Sequence, residues 1–159
     1  GGWKKDKMDG QGTLDFQGSY KYNGEFKDGL FYGQGVLLRY DKFGHIIEKY
    51  DGEFKSGKFM NGHAIIDINR GYWSGCRYEG EFKHGEINGN GKMISYSSEL
   101  IFQGQFSNGK CFGSGTINYP NKAYYEGEWF ESYPHGLGTM TNTDGSSVTG
   151  KWVYGKFKN

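Results

Sequence analysis

An aromatic residue, a glycine two positions on and a second aromatic two further on occur at Tyr22/Gly24/Phe26, Tyr50/Gly52/Phe54, Tyr78/Gly80/Phe82, Phe102/Gly104/Phe106 and Tyr125/Gly127/Trp129. A worn copy, Val148/Gly150/Trp152, closes the series. Nine residues after the central glycine stands a Gly-x-Gly pair at Gly33/Gly35, Gly89/Gly91, Gly113/Gly115 and Gly136/Gly138. At the amino end Gly1, Trp3, Gly10 and Gly12 fit the same frame. The central glycines at 1, 24, 52, 80, 104, 127 and 150 are 23, 28, 28, 24, 23 and 23 residues apart. A recurrence of that size means stacked repeats, each a small unit that gains its core from its neighbours.

Spacing by two defines the unit. In an extended strand Tyr22, Gly24 and Phe26 project from one face, while Asn23, Glu25 and Lys27 project from the other. Asp28-Gly29 then reverses the chain, and Val36-Leu37-Leu38 follow the Gly-x-Gly as a second strand. One repeat is one β-hairpin, and the chain is all-β. Glycine within a strand costs about 0.5–1 kcal/mol, so its regular return needs a packing reason. A backbone without Cβ offers a bare patch across which a neighbouring ring can lie.

Two linkers break the rhythm. Asp41 to Lys49 precedes the second full repeat, and Asn69 to Cys76, with an extra Tyr72-Trp73 pair, precedes the third. Insertions in such arrays are expected in loops on the edge. The second repeat reads Gly62-His63-Ala64, which puts Ala64 where the second glycine belongs, and Ser132 replaces the glycine that elsewhere ends the first strand. The opening of the first repeat is cut off and no initiator Met precedes it, so the expectation is a piece of a longer protein.

Several chemistries find little support. The net charge of +1 gives no electrostatic footprint for nucleic acid. No apolar run approaches bilayer length and no charged leader precedes an apolar stretch, so the chain reads as soluble. Cys76 and Cys111 lie in different repeats without metal-ligand spacing, which points to free thiols in a reducing, intracellular compartment. Glu25, Glu53, Glu81 and Glu128 recur one residue after the central glycine, yet acid–base catalysis needs two carboxylates in unlike environments and a repeat makes them alike. They are assigned to a solvated polar face beside Lys27, Lys55 and Lys83. The Gly-x-Gly elements lack the further glycine and helix of a phosphate loop. His45, His63, His84 and His135 show no ligand spacing, so neither metal nor cofactor is expected.

The pattern Tyr-x-Gly-Glu-(Phe/Trp)-Lys-x-Gly with its later Gly-x-Gly resembles the MORN repeat (membrane occupation and recognition nexus) over essentially the whole chain. The resemblance implies an elongated single-layer antiparallel β-meander of about six to seven stacked hairpin repeats. On this reading residues 1–159 are one array truncated at both ends, with repeats at approximately 1–18, 22–40, 50–68, 78–96, 102–119, 125–143 and 148–159. It also implies binding of partner helices, self-association or membrane contact, because such repeats occur in scaffolds, ciliary spokes, junction proteins and accessory regions of lipid kinases and lysine methyltransferases.

A single layer would leave its aromatic face uncovered. Tyr22, Phe26, Tyr50, Phe54, Tyr78, Phe82, Phe102, Phe106, Tyr125, Trp129 and Trp152 are therefore expected to line a groove that receives a helical or extended segment of a protein partner. Gly24, Gly33, Gly35, Gly52, Gly80, Gly89, Gly91, Gly104, Gly113, Gly115, Gly127, Gly136, Gly138 and Gly150 are expected to be structural. The function expected is a non-enzymatic, protein-binding scaffold of cytoplasmic, cytoskeletal or ciliary setting. A peripheral module for anionic phospholipid ranks below it, since acidic residues interleave with the lysines, as does an accessory targeting domain of a lipid kinase or lysine methyltransferase.

Overall fold

The computed structural model describes residues 2–69 and 73–158. Its strands are β1 (Trp3–Lys4), β2 (Lys7–Met8), β3 (Gly10–Phe16), β4 (Tyr20–Lys27), β5 (Leu30–Tyr40), β6 (Ile46–Lys55), β7 (Lys58–Ile68) and β8 (Cys76–Lys83). There follow β9 (Glu86–Ser95), β10 (Ile101–Ser107), β11 (Lys110–Asn118), β12 (Tyr124–Phe130), β13 (Tyr133–Thr141), β14 (Ser147–Val153) and β15 (Lys156–Lys158). β1 and β2 pair with each other, and β3 to β15 form one open antiparallel sheet in chain order. The described residues contain no helix. The chain divides into two units, residues 1–67 with 81–86 and residues 68–80 with 87–159.

The two-residue hairpin turns between β4 and β15 follow one rule. Both turn residues have positive φ at Asp28-Gly29, Ser56-Gly57, His84-Gly85, Asn108-Gly109, Glu131-Ser132 and Tyr154-Gly155. Such turns match the twist of the flanking strands, which is why glycine usually fills the second place. Ser132 holds that conformation without being glycine, at φ 67°. Its hydroxyl accepts a hydrogen bond from the Cys111 amide at 3.1 Å, and its own amide donates to the Cys111 carbonyl at 3.0 Å.

Glycines opposite glycines form a rail across each unit. In the first, Gly12, Gly24, Gly35, Gly52 and Gly62 are successive cross-strand partners. In the second the rail is Gly91, Gly104, Gly115, Gly127, Gly138 and Gly150. A Cβ on Gly24 would stand 2.5 Å from the Cα of Gly35, and one on Gly35 would run into the Tyr22 ring. Tyr78 and Tyr125 occupy the same place over Gly91 and Gly138. The rail is a slot for the tyrosine: the Tyr22 hydroxyl crosses it to donate to the Glu25 carbonyl at 3.0 Å, and Tyr125 does the same to Glu128 at 3.1 Å.

Just past the rail the register slips. Gly24 faces Gly35 but Glu25 faces Tyr32, so Gly33 and Gln34 bulge out. The Gln34 amide, left without a partner residue on β4, donates to the Glu25 carboxylate at 3.1 Å. Ser114 donates to Gln105 and Leu137 to Glu128 in the same way, both at 3.2 Å. A Cβ on Gly33, Gly113 or Gly136 would collide with that side chain. These acidic residues are thus not merely a solvated face. They satisfy the bulge, and a register slip that spacing does not disclose is what recruits them. Glu128→Ala is expected to cost about 1 kcal/mol and Glu128→Gln much less, because Gln105 serves unaided in its own repeat; urea midpoints of the two variants check this.

The second repeat departs by one residue. Glu53 faces Asn61 and Phe54 faces Phe59, so only Met60 bulges and Gly62 meets Gly52. Ala64 therefore does not stand for the second glycine. It faces Tyr50, as Leu37 faces Tyr22. The linker from Asp41 to Lys49 likewise does not stay a loop. Ile46 to Lys49 belong to β6 and extend the hairpin, with Arg39 opposite Glu48.

Candidate functional site

Ring packing decides what the aromatic face can offer. In the first unit Tyr22, Phe26 and Phe54 make a buried cluster, with Tyr50, Phe31 and Phe59 packed against it. Tyr22 stacks on Phe31 at 3.9 Å and meets Phe26 and Phe54 edge to face at 5.1 and 5.2 Å. Phe82 packs against Phe59 at 5.7 Å. In the second unit the contacts run Tyr78–Phe106 at 5.3 Å, Phe106–Phe102 at 5.1 Å, Phe102–Trp129 at 5.0 Å, Trp129–Tyr125 at 5.4 Å and Tyr125–Trp152 at 5.2 Å. All are edge to face, the arrangement ring quadrupoles favour.

Of the eleven rings expected to line an open groove, all but Tyr50 are buried, none more than 9% exposed. The reasoning that a single layer leaves them uncovered fails on geometry. Tyr22, Tyr78, Phe102 and Tyr125 lean along the sheet over the glycine rail, and the neighbouring rings close against their edges. They form the core, and it is assembled without a second layer.

An opening breaks this face in the second unit. A cavity of about 290 Å3 is lined by Trp73, Ser74, Cys76, Met93, Ser95, Ser98, Leu100, Phe102, Cys111, Ile117, Trp129 and Ser132. Phe102 and Trp129 are the two expected groove residues that line it. Met93 and Ile117 are there because both face Phe102 across the sheet. Trp73 is the unforeseen member. It belongs to the linker expected to loop out at the edge, yet its indole lies against Phe106 at 6.5 Å and its Nε1–H donates to the Gly109 carbonyl at 2.6 Å. The companion Tyr72 lies outside the described residues.

Inside this site the chemistry is quiet. Cys76 and Cys111 are free and buried. Burial pushes the Cys111 thiol up to about 12 and raises that of Cys76, so neither is a thiolate nucleophile near neutrality. Among the described residues no three His, Cys, Asp or Glu side chains gather as metal ligands. Ser98 donates to Ser95 at 2.7 Å and Ser132 is held by the Cys111 amide.

Burial also raises Tyr22, Tyr50, Tyr119 and Tyr125. Tyr125 is pushed to about 12 by desolvation and then by Glu128, and Tyr50 to about 12 by desolvation and then by Glu48. A phenol that ionises later folded than unfolded contributes stability that is intact below its ordinary value of 10 and is lost as pH rises through about 12. Alkaline titration followed at 295 nm and by circular dichroism should show late-ionising phenols released together with unfolding, and Tyr125→Phe should remove one of them.

A family model for the MORN repeat matches residues 1–19, 22–42, 50–63, 78–98, 102–124 and 125–147. The chain belongs to the MORN-repeat family. No curated protein matches it. MORN repeats are typically modules for protein or membrane interaction and are generally non-catalytic. The matched stretches leave out residues 64–77, so the Trp73 wall of the cavity is not a MORN element but is supplied by the insertion between two of them.

Proposed function

We propose that this MORN array is a non-enzymatic scaffold module that receives a segment of a protein partner on the aromatic face of its second unit. The observation that carries the reading is the cavity between Trp73 and Trp129, an opening on a face where ten of the eleven repeat rings are buried. A concave apolar site with a few polar groups is where binding energy concentrates. The two free, buried thiols support a reducing, intracellular setting.

A photo-crosslinking residue placed at Ser98, on the cavity mouth, tests it against one at the exposed Thr149. The expected result in cells is a discrete protein adduct from position 98 and none from 149. Equal adducts from both positions would overturn the reading. So would sedimentation of the chain with anionic vesicles at physiological salt, which would favour a membrane surface.

A further inference from the structure

We infer that the cavity is an anchor site for one bulky, uncharged apolar side chain of the partner segment, with the insertion-borne Trp73 as its specificity-determining wall. This rests on the aromatic face being the receiving surface.

Charge comes first. None of the twelve lining residues is Asp, Glu, Lys, Arg or His. A charged group entering would give up its hydration and find no opposite charge, a cost that uncharged occupants escape. Of the four serines, Ser98 is engaged with Ser95 and Ser132 with the Cys111 amide, and the Trp73 and Trp129 indoles already donate to main-chain carbonyls. Burial keeps the Cys111 and Cys76 thiols neutral. What remains to meet an occupant is hydrocarbon, thioether and ring surface from Met93, Leu100, Phe102, Ile117, Trp73 and Trp129.

Size comes second. A volume of about 290 Å3 sits at the lower end of the roughly 300–1,000 Å3 of small-molecule sites, ample for one large side chain. Position comes third. Trp73 is fixed by a backbone acceptor and by Phe106, so the wall stands before a partner arrives. A preformed pocket saves ordering entropy, the condition under which a single buried residue becomes a hot spot.

The test is selection of linear peptides from a display library on the whole chain, with affinities measured by fluorescence anisotropy. The enriched peptides are expected to share one Leu, Met, Phe or Trp, and its replacement by Asp or Lys should weaken binding by about tenfold or more. Ser98→Trp, at an exposed rim position, should weaken binding comparably while leaving the thermal melt unchanged. Trp73→Phe, which keeps a ring but not the Nε1–H, should weaken it less than Trp73→Ala. The peptide-side replacement carries the comparison even if a variant fails to fold.

Peptides that crosslink at position 98 yet tolerate Asp at their shared residue would overturn the anchor and leave the receiving face standing. Peptides that crosslink only at position 149, or no enrichment at all, would overturn both. Binding to vesicles of acidic phospholipid that Ser98→Trp abolishes would make the occupant an acyl chain and overturn the assignment to a protein side chain.

Discussion

Gly127→Ala is expected to destabilise the second unit by about 3 kcal/mol or more, at the upper end of overpacking effects. The new methyl would stand 2.5 Å from the Gly138 Cα, 2.6 Å from the Leu137 carbonyl oxygen and 2.6 Å from the Tyr125 hydroxyl. Two of those three are backbone atoms of a hydrogen-bonded neighbour, so relief requires parting the strands. Two other glycines calibrate the claim. Gly150→Ala meets only the Phe157 ring, at 2.9 Å, near the end of the chain, and a ring can turn aside. Gly145→Ala meets nothing but must hold φ at +83°, a conformational cost of about 1 kcal/mol. Urea midpoints should therefore fall furthest for Gly127→Ala. Equal midpoints for Gly127→Ala and Gly145→Ala would mean that the rail is not a close-packed slot.

Tyr22→Ala should cost the first unit about 3–5 kcal/mol, the range for deleting a large buried side chain. Tyr22 has no exposed surface, it touches Phe26, Phe31 and Phe54, and its absence would leave the space over Gly24 and Gly35 empty. The sheet cannot close that space by sliding, because its register is held by hydrogen bonds on both sides of β4. Tyr22→Phe separates ring from hydroxyl. It keeps the ring and removes only the hydroxyl's contacts with the Glu25 and Tyr32 carbonyls, and should cost about 1 kcal/mol. A near-neutral Tyr22→Ala in calorimetry would show that the ladder of rings is decoration on a sheet held by its backbone.

The fold was legible in the sequence because a hairpin repeated in register leaves its period in the chain, and because Asp28-Gly29 and its equivalents can turn only one way. What spacing could not convey was depth. Alternation puts Tyr78 and Phe106 on one face, but whether that face is open depends on how far each ring leans, and the glycine rail sets the lean. The bulge was equally hidden. Glu25 and Glu53 look equivalent in the repeat frame, yet two residues bulge beside the first and one beside the second, and the difference places Gly62, not Ala64, on the rail. Trp73 had no counterpart in other repeats against which to be aligned. Its irregularity was the available signal, and the inference that irregular residues go to the edge pointed the wrong way.

Five aromatic side chains end their polar atom on a main-chain carbonyl: Tyr22 on Glu25, Tyr125 on Glu128, Trp129 on Gly115, Trp152 on Gly138 and Trp73 on Gly109. Carbonyls survive any substitution. The acceptors in this wiring are therefore immune to mutational drift, and apart from the bulge-holding Glu25, Gln105 and Glu128 the opposite surface of the sheet can be repainted, by evolution or by an engineer, without cutting these struts.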